Sequence, residues 1–361
     1  MKIRYISNFT DGTDWSQSAI YNVLALDNAG YDVYCGEIKY SKSNVILDDK
    51  IIPLFQKSTE ENCEVTIHHV LPDQYIKHRD TINIGFYPVD STISNIVVRK
   101  KISLMDKMFV PSYESKVIFE KLGMNIPVEV FKNSLDYERV STFKSKEPTM
   151  ALQNGFNFLF LNEFAKQKNL EDCLRAYYTE FNRFDPINMV IASEKDPESV
   201  KSFTAEVKAR LKKPERYKEE LIYSGNIMQD HRLTLLDQVH ALVVSSYAEA
   251  SSYTAMEAMV MGLPIIYTNG IGVGSYLQEE DHFPVRSSVE TCYGATQSLP
   301  EMYTCNDKWL KVEVQDLQRA MREVVNLYWM EKEKYVEKTR KISEYAKSFD
   351  YRNKNLVKDI I

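Results

Sequence analysis

The 361-residue chain lacks the features of a membrane or secreted protein. It has no run of about 18 or more apolar residues, so no segment is predicted to form a transmembrane helix. The first twelve residues, MKIRYISNFTDG, become polar before an apolar core develops, which is not the pattern of a signal peptide. We therefore expect a cytoplasmic protein without a membrane span.

Cysteine, glycine and proline are also scarce. The five cysteines are odd in number, widely scattered and form no CxxC pair, which argues against a disulfide framework and a zinc site. Twelve glycines and twelve prolines are too few for a many-turned all-β protein of this length. The net charge of −6 gives no general attraction to nucleic acid or anionic lipid, although it leaves a local basic patch open.

Short apolar runs alternate with amphipathic stretches along the whole chain, which predicts parallel strands joined by crossover helices. The predicted strands are Ile3–Ile6, Asp32–Ile38, Glu64–His68, Ile82–Tyr87, Lys107–Val110, Val128–Phe131, Asn157–Leu161, Asn188–Ala192, Leu221–Tyr223, Ala241–Ser245 and Pro264–Tyr267. Residues 133–150 are polar and aperiodic, which is typical of an interdomain linker. The pattern therefore predicts two doubly wound domains, one on each side of this linker. Ligands are expected at the carboxyl ends of their strands.

The most informative segment is Ser245–Gly270, which reads SSYAEASSYTAMEAMVMGLPIIYTNG. Glu249 falls in a loop after a strand, and Glu257 follows eight residues later in a short helix. Exposed N–H groups at a helix start form an anion site, and four residues supply them here: Ser251, Ser252, Tyr253 and Thr254. The alternative is a capping box in which Glu257 closes the helix start at Thr254. Asp14 and Gln17 fit a second capping box at the first predicted helix.

This segment resembles the E-x7-E signature of retaining glycosyltransferases of family 4, which have the GT-B fold. The similarity extends to Phe160–Tyr177, to the Tyr87-Pro-Val-Asp90 segment and to the loop Asp11–Ser16, and so covers most of the chain. The resemblance implies two Rossmann-like domains facing across a cleft. Residues 1–145 would form the acceptor side, residues 146–335 the nucleotide-sugar side, and residues 336–361 a C-terminal helix that packs back on the first domain.

The resemblance also implies a reaction: transfer of a sugar from a nucleotide-diphosphate sugar to an acceptor hydroxyl, with retained anomeric configuration. A UDP-linked donor is expected, with no metal and no other cofactor. By motif match Glu249 would contact the donor sugar, Glu257 the ribose hydroxyls and Lys168 the pyrophosphate. Lys168 and the helix start would stabilise the negative charge that develops on the leaving diphosphate.

Two departures from the family pattern affect these expectations. Most members carry an arginine five residues before the pyrophosphate lysine, whereas this chain has Glu163, with Lys166 as the available substitute. The usual G-F-G after the first glutamate is replaced by Ala250-Ser251-Ser252. Because the loss of two glycines restricts φ and adds hydroxyls, we expect a different donor-sugar preference.

Weaker signals have a structural and a functional interpretation. His69 is predicted to touch the donor sugar, and is otherwise a histidine at a strand end. Asp90 would orient the acceptor or cap a helix. Gly12 and Thr13 would approach a phosphate or form a turn and cap. Asn226 would border the nucleobase.

The acceptor is expected to be a glycan or small molecule. A phage-type enzyme acting on a hydroxymethylated DNA base is an alternative, although it is disfavoured by the net charge of −6. A GT-B nucleotide-sugar epimerase or phosphorylase and a non-catalytic sugar-binding module remain further alternatives.

Overall fold

The computed structural model describes residues 1–39, 49–57, 62–145, 155–212, 216–225, 227–293 and 304–357. The first half forms a six-stranded sheet whose strands are β1 (Lys2–Ser7), β2 (Asp32–Glu37), β3 (Val65–His69), β4 (Ile82–Phe86), β5 (Lys107–Val110) and β6 (Val128–Val130). Its helices are α1 (Asp14–Asn28), α2 (Ile52–Phe55), α3 (Ile96–Ile102), α4 (Tyr113–Glu120) and α5 (Tyr137–Ser141). All neighbouring strands are parallel, in the order β2-β1-β3-β4-β5-β6.

The second half repeats this architecture. Its strands are β7 (Phe156–Leu161), β8 (Ile187–Ser193), β9 (Leu221–Ser224), β10 (Ala241–Val244), β11 (Ile265–Thr268) and β12 (Phe283–Val285), in the parallel order β12-β11-β10-β7-β8-β9. Its helices are α6 (Leu170–Glu180), α7 (Pro197–Arg210), α8 (Gln229–Leu236), α9 (Tyr253–Val260), α10 (Val314–Met330) and α11 (Lys332–Ala346). An antiparallel hairpin is added by β13 (Ser287–Thr291) and β14 (Lys308–Val312). The predicted α/β fold of two doubly wound sheets is confirmed.

The burial of the central strands is typical of a parallel sheet. Every residue of β7 and β8 is buried, including Phe156, Phe158 and Phe160. Such continuous apolar runs are typical of strands covered by helices on both faces. The described residues include no helix long and apolar enough to cross a bilayer.

Both predicted capping boxes are wrong. At α1 the cap is Thr13, whose side chain accepts from the Ser16 N–H, because Asp14 is already helical. At α9 the cap is Ser252, whose side chain accepts from the Ala255 N–H. Glu257 is therefore in the middle of α9, too far along the helix to close its start.

The segment predicted to be an interdomain linker does connect the two sheets, but part of it is buried. Asn133, Ser134 and Asp136 are buried in the described part of that segment. The Leu135 N–H donates to the Phe349 carbonyl at 3.0 Å. The polar residues of this segment therefore make contacts in the protein interior.

The return of the C-terminus to the first half also differs from the prediction of a helix over 336–361. Helix α11 ends at Ala346, and the segment that follows makes the return. In that segment the Tyr351 N–H donates to the Leu135 carbonyl at 2.9 Å, and the Arg352 carbonyl accepts from Asn28 Nδ2 at 2.9 Å.

Two glycines with left-handed φ allow the packing of α11 to be tested. Gly262 has φ 77°, and a Cβ there would lie 2.7 Å from the Thr339 carbonyl oxygen of α11. Gly123 has φ 64° but faces open space. We expect Gly123→Ala to lower the free energy of unfolding by about 1 kcal/mol and Gly262→Ala by about 2 to 3 kcal/mol, because α11 must also shift. Urea denaturation measures both values, and equal losses would contradict this packing.

Candidate functional site

A cavity of about 540 Å³ lies between the two sheets. Its lining comes from loops that follow the carboxyl ends of β1, β3, β4, β7, β8 and β10, as expected for sheets of this type. The predicted site residues that line it are Gly12, Thr13, His69, Asp90, Lys168, Glu249, Ser251, Ser252, Tyr253 and Thr254. The fold therefore brings ten of the predicted site residues together in one cavity.

An ion pair between Lys168 and Glu249 forms one wall of the cavity. Lys168 Nζ lies 2.7 Å from Glu249 Oε2, and both side chains are only 15% exposed. Asn169 holds the two loops together, because its left-handed backbone (φ 58°) lets Nδ2 donate to the Ser245 carbonyl at 3.1 Å. The pair is thus positioned by the backbone of both loops.

The electrostatics of this pair reflect an excess of negative charge. Burial disfavours the charged form of Lys168, but the nearby carboxylates of Glu249, Glu163 and Asp90 outweigh it and raise the lysine pKa. Burial, together with the charge of Asp90, raises the pKa of Glu249 against the opposing effect of Lys168. The lysine therefore stays protonated, and an anionic ligand would enter with a fixed positive charge before it.

The start of α9 faces the same cavity. Tyr253 and Thr254 occupy the first turn, where backbone N–H groups have no partner within the helix. Ser251 Oγ accepts from Asn133 Nδ2 at 2.9 Å, and the Tyr253 hydroxyl donates to the Ser134 carbonyl at 3.0 Å. Side chains of this turn thus fasten α9 to the first half, while its backbone remains available to a ligand.

His69 is the last residue of β3 rather than part of the loop after it. Asn22 Nδ2 donates to the Tyr5 hydroxyl oxygen at 3.2 Å, and that hydroxyl lies 2.9 Å from His69 Nδ1. With the phenol proton directed at Nδ1, the ring carries its own proton on Nε2. Burial lowers the pKa of His69 to about 3, so the ring is neutral at physiological pH.

Asp90 follows β4 and accepts a hydrogen bond from Gln167 Nε2 at 2.6 Å. The alternative role of a helix cap is wrong, because α3 is capped by Asn95. Gln167 also donates to the Ala248 carbonyl at 3.1 Å, which ties Asp90 to the loop that carries Glu249. Gln167 was not predicted, although it immediately precedes Lys168.

Gly12 and Thr13 form a turn and a cap, and they also line the cavity. Gly12 has φ 73°, and Thr13 Oγ1 donates to Asp11 Oδ1 at 2.6 Å. The Thr13 side chain is therefore occupied within its own loop, as the structural interpretation predicted. Asn226, the residue predicted to border the nucleobase, lies outside the described residues.

Glu257 is not brought to the cavity surface. It is fully buried, and its carboxylate accepts from Arg232 Nε and from Arg232 Nη2, the latter at 2.9 Å. The predicted contact with ribose hydroxyls therefore has no geometric support. The physical reason is that a buried carboxylate needs a cation, and α8 supplies one.

Arg232 is a second cavity-lining residue that the sequence motifs did not indicate. It lines the cavity and bridges the two halves, because Nη1 lies 3.2 Å from Asp14 Oδ1 and Nη2 donates to Gln17 Oε1 at 2.8 Å. The only hint in the sequence is one arginine among the leucines of α8. Lys166, the predicted substitute for the missing arginine, instead places Nζ over the Tyr293 ring at 5.0 Å.

The lining of the cavity is acidic. Its carboxylates are Asp11, Asp14, Asp90, Glu163, Glu194 and Glu249, and its cations are Lys168 and Arg232. Because Arg232 is also committed to the buried Glu257, Lys168 carries most of the positive charge that a ligand would meet. The sign of the charge in the cleft is therefore the same as that of the whole chain.

Comparison with known proteins agrees with this geometry. Residues 143–290 match the family model of glycosyl transferases group 1. No curated protein sequence matches the chain significantly. The second half of the chain is therefore similar to glycosyl transferases group 1.

Solved structures match over the whole chain at low identity. HepE of Anabaena, in complex with UDP and glucose, is 11% identical with a TM-score of 0.66, covering 100% of this chain and 99% of that one. Sucrose-phosphate synthase of Thermosynechococcus elongatus is 12% identical with a TM-score of 0.65, covering 99% and 96%. A trehalose-6-phosphate protein of E. coli bound with UDP-2-fluoro glucose is 10% identical with a TM-score of 0.62, covering 100% and 99%. These matches confirm the predicted GT-B fold.

The position of Glu257 gives a stability prediction. We expect Glu257→Ala to lower the free energy of unfolding by about 3 kcal/mol, because it removes the main partner of a buried guanidinium. Asp14→Ala removes a half-exposed partner of the same arginine and should cost less than about 1 kcal/mol. Urea unfolding of both variants makes the comparison, and a Glu257→Ala variant as stable as Asp14→Ala would contradict the arrangement.

Proposed function

We propose that this protein is a retaining, metal-independent glycosyltransferase that moves a sugar from a UDP-linked donor to an acceptor hydroxyl. The observation that carries this proposal is the Lys168–Glu249 pair beside the start of α9, in a cavity at the carboxyl ends of two parallel sheets. A diphosphate and a sugar together require this combination of a fixed cation, free N–H groups and a carboxylate acceptor.

The donor diphosphate would lie between Lys168 and the first turn of α9. The N–H groups of Tyr253 and Thr254 suit an anion, because they point out of a helix start and add to its positive dipole end. As the bond to the sugar breaks, negative charge grows on the diphosphate. A cation and dipoles that are already in place stabilise this charge without reorganisation, which lowers the barrier.

The sugar would lie between Glu249 and His69. Glu249 accepts from a sugar hydroxyl, and neutral His69 donates from Nε2, the nitrogen left protonated by the hydrogen bond at Nδ1. Asp90, held by Gln167 near the loop of Glu249, would face the acceptor. The acceptor oxygen attacks the anomeric carbon, the bond to the diphosphate breaks, and a diphosphate oxygen takes the acceptor proton.

Two observations narrow the substrates. HepE of Anabaena is in complex with UDP and glucose, which supports a UDP-linked donor for a chain of the same fold. The six carboxylates that line the cavity disfavour a polyanion such as DNA, whose binding needs clustered cations. We therefore favour a glycan or small-molecule acceptor, and we assign Glu257 to holding Arg232 rather than to the ribose.

The first test measures nucleoside diphosphate release from a panel of UDP-glucose, UDP-galactose, UDP-N-acetylglucosamine and GDP-mannose. We expect release from one of the UDP-linked sugars. Lys168→Met and Glu249→Gln should each reduce it by about 100-fold or more, because each removes a group that meets the donor in the transition state.

Lys166→Ala is the matched control for these variants. Lys166 is exposed and lies two positions from Lys168, with its Nζ over the Tyr293 ring rather than in the cavity. It should keep the activity of the parent protein. Full activity in Lys168→Met, or conversion of the donor to an epimer with no acceptor present, would contradict the proposal, and so would tight donor binding without turnover.

The second test addresses metal independence. Lys168 and the start of α9 supply the positive potential that a divalent cation would otherwise provide, so we expect the turnover rate to be unchanged by excess EDTA. Adding back Mg²⁺ or Mn²⁺ should not raise it. Loss of activity with EDTA that either cation restores would show that a metal takes part.

A further inference from the structure

A second cavity, also of about 540 Å³, lies beside the first. Asp90 and Glu249 line both, so the two cavities meet at the carboxylates that the proposed reaction uses. One wall of the second cavity belongs to the first half, with Val117 and Ile118 of α4. The other belongs to the β13–β14 hairpin, with Val289. The second cavity therefore forms between the two halves of the chain.

The hairpin is held against the first half by specific hydrogen bonds. The Thr92 N–H donates to the Lys308 carbonyl at 3.2 Å, and the Ser94 N–H donates to Asp307 Oδ1 at 2.7 Å. On the inner side the Gly272 N–H donates to the Glu249 carbonyl at 2.6 Å. A Cβ at Gly272 would lie 2.0 Å from the Ala250 carbonyl oxygen, so glycine permits this close approach. These contacts fix the wall of the second cavity that lies next to Glu249.

The lining of the second cavity is mainly apolar, in contrast with the acidic first cavity. Three apolar side chains that line it are substantially exposed, namely Val289 at 70%, Tyr113 at 60% and Val117 at 47%. Exposed apolar side chains gathered around one concavity are unfavourable in water and are typical of a ligand site. Their position on both walls indicates that an apolar group enters between them.

Trp309 adds an aromatic ring to this apolar lining. The residue is 3% exposed and lines the cavity, with its ring stacked on Tyr247 at 4.8 Å. Its Nε1 atom is buried, so Trp309 presents ring carbon rather than a polar group to the cavity.

We propose that the second cavity binds the apolar part of the acceptor, and that the acceptor is an uncharged amphiphile: an alcohol or glycoside that carries an alkyl or aryl group. The reacting hydroxyl would lie at Asp90 and Glu249, where the cavities meet. This proposal rests on the proposed glycosyl transfer and names its acceptor class.

The test compares octyl β-glucoside, below its micelle concentration, with methyl β-glucoside, which has the same sugar but no alkyl chain. Calorimetry measures binding of each glucoside and of UDP, and UDP release measures transfer from the donor that the panel selects. Val117→Glu and Val289→Glu place a charge on opposite walls at exposed positions. Val336→Glu on α11 is the matched control, because Val336 is 55% exposed and does not line the cavity.

We expect octyl glucoside to bind at least about tenfold more tightly than methyl glucoside, because the chain leaves water for an apolar cavity. Either cavity variant should remove this difference, because burying an unpaired charge is costly, whereas Val336→Glu should keep it. UDP binding should be unchanged in all three variants.

Several results would overturn the proposal. Equal binding of the two glucosides in a protein that binds UDP would contradict the apolar subsite and leave the proposed transfer intact. Unchanged octyl glucoside binding in both cavity variants would do the same. Absence of UDP binding in the parent protein would instead contradict the glycosyl transfer itself, and with it the acceptor role of this cavity.

Discussion

The parallel direction of the strands is the constraint on which the site depends. Crossover helices make all strands of a sheet end at the same edge, so the loops that follow them converge. Two such edges face each other here, which brings His69 and Asp90 of the first sheet towards Lys168 and Glu249 of the second. No single loop forms the site. Its geometry therefore depends on the contacts that hold the halves together, of which Arg232 makes the most central.

Burial decides how each charged group near the cleft is used. Glu257 and Arg232 are both withdrawn from solvent, and each neutralises the other, so neither offers a net charge to a ligand. Lys168 keeps partial exposure and stands among more carboxylates than its own charge can balance. A diphosphate that binds there must displace or share the contact with Glu249, which frees that carboxylate for a sugar hydroxyl. The ion pair thus holds both side chains in position for the proposed donor.

The sequence allowed most of the fold and part of the site to be predicted. The strands followed from local apolar runs, and Glu249 and Lys168 from short motifs that lie within one loop each. The sequence did not reveal the partner of Glu257, because Arg232 is on another helix. Whether this carboxylate meets a ribose or an arginine depends on tertiary packing. The predicted cap at Thr254 was wrong for a local reason: several neighbouring residues can cap a helix, and the backbone geometry selects Ser252. The sequence of the β13–β14 hairpin has no strong strand pattern. Its place in the lining of the second cavity is visible only in the tertiary structure.

That hairpin adds a second cavity whose polarity differs from that of the first. The first cavity is lined by carboxylates and one effective cation, and it suits a donor whose charge is concentrated in a diphosphate. The second is mainly apolar and has the buried Trp309 among its lining residues. A single hydrophilic substrate would leave this lining exposed, whereas two substrates of different polarity would fill both cavities. Because Asp90 and Glu249 line each cavity, the two substrates would meet at these carboxylates, where a hydroxyl can be oriented towards the sugar.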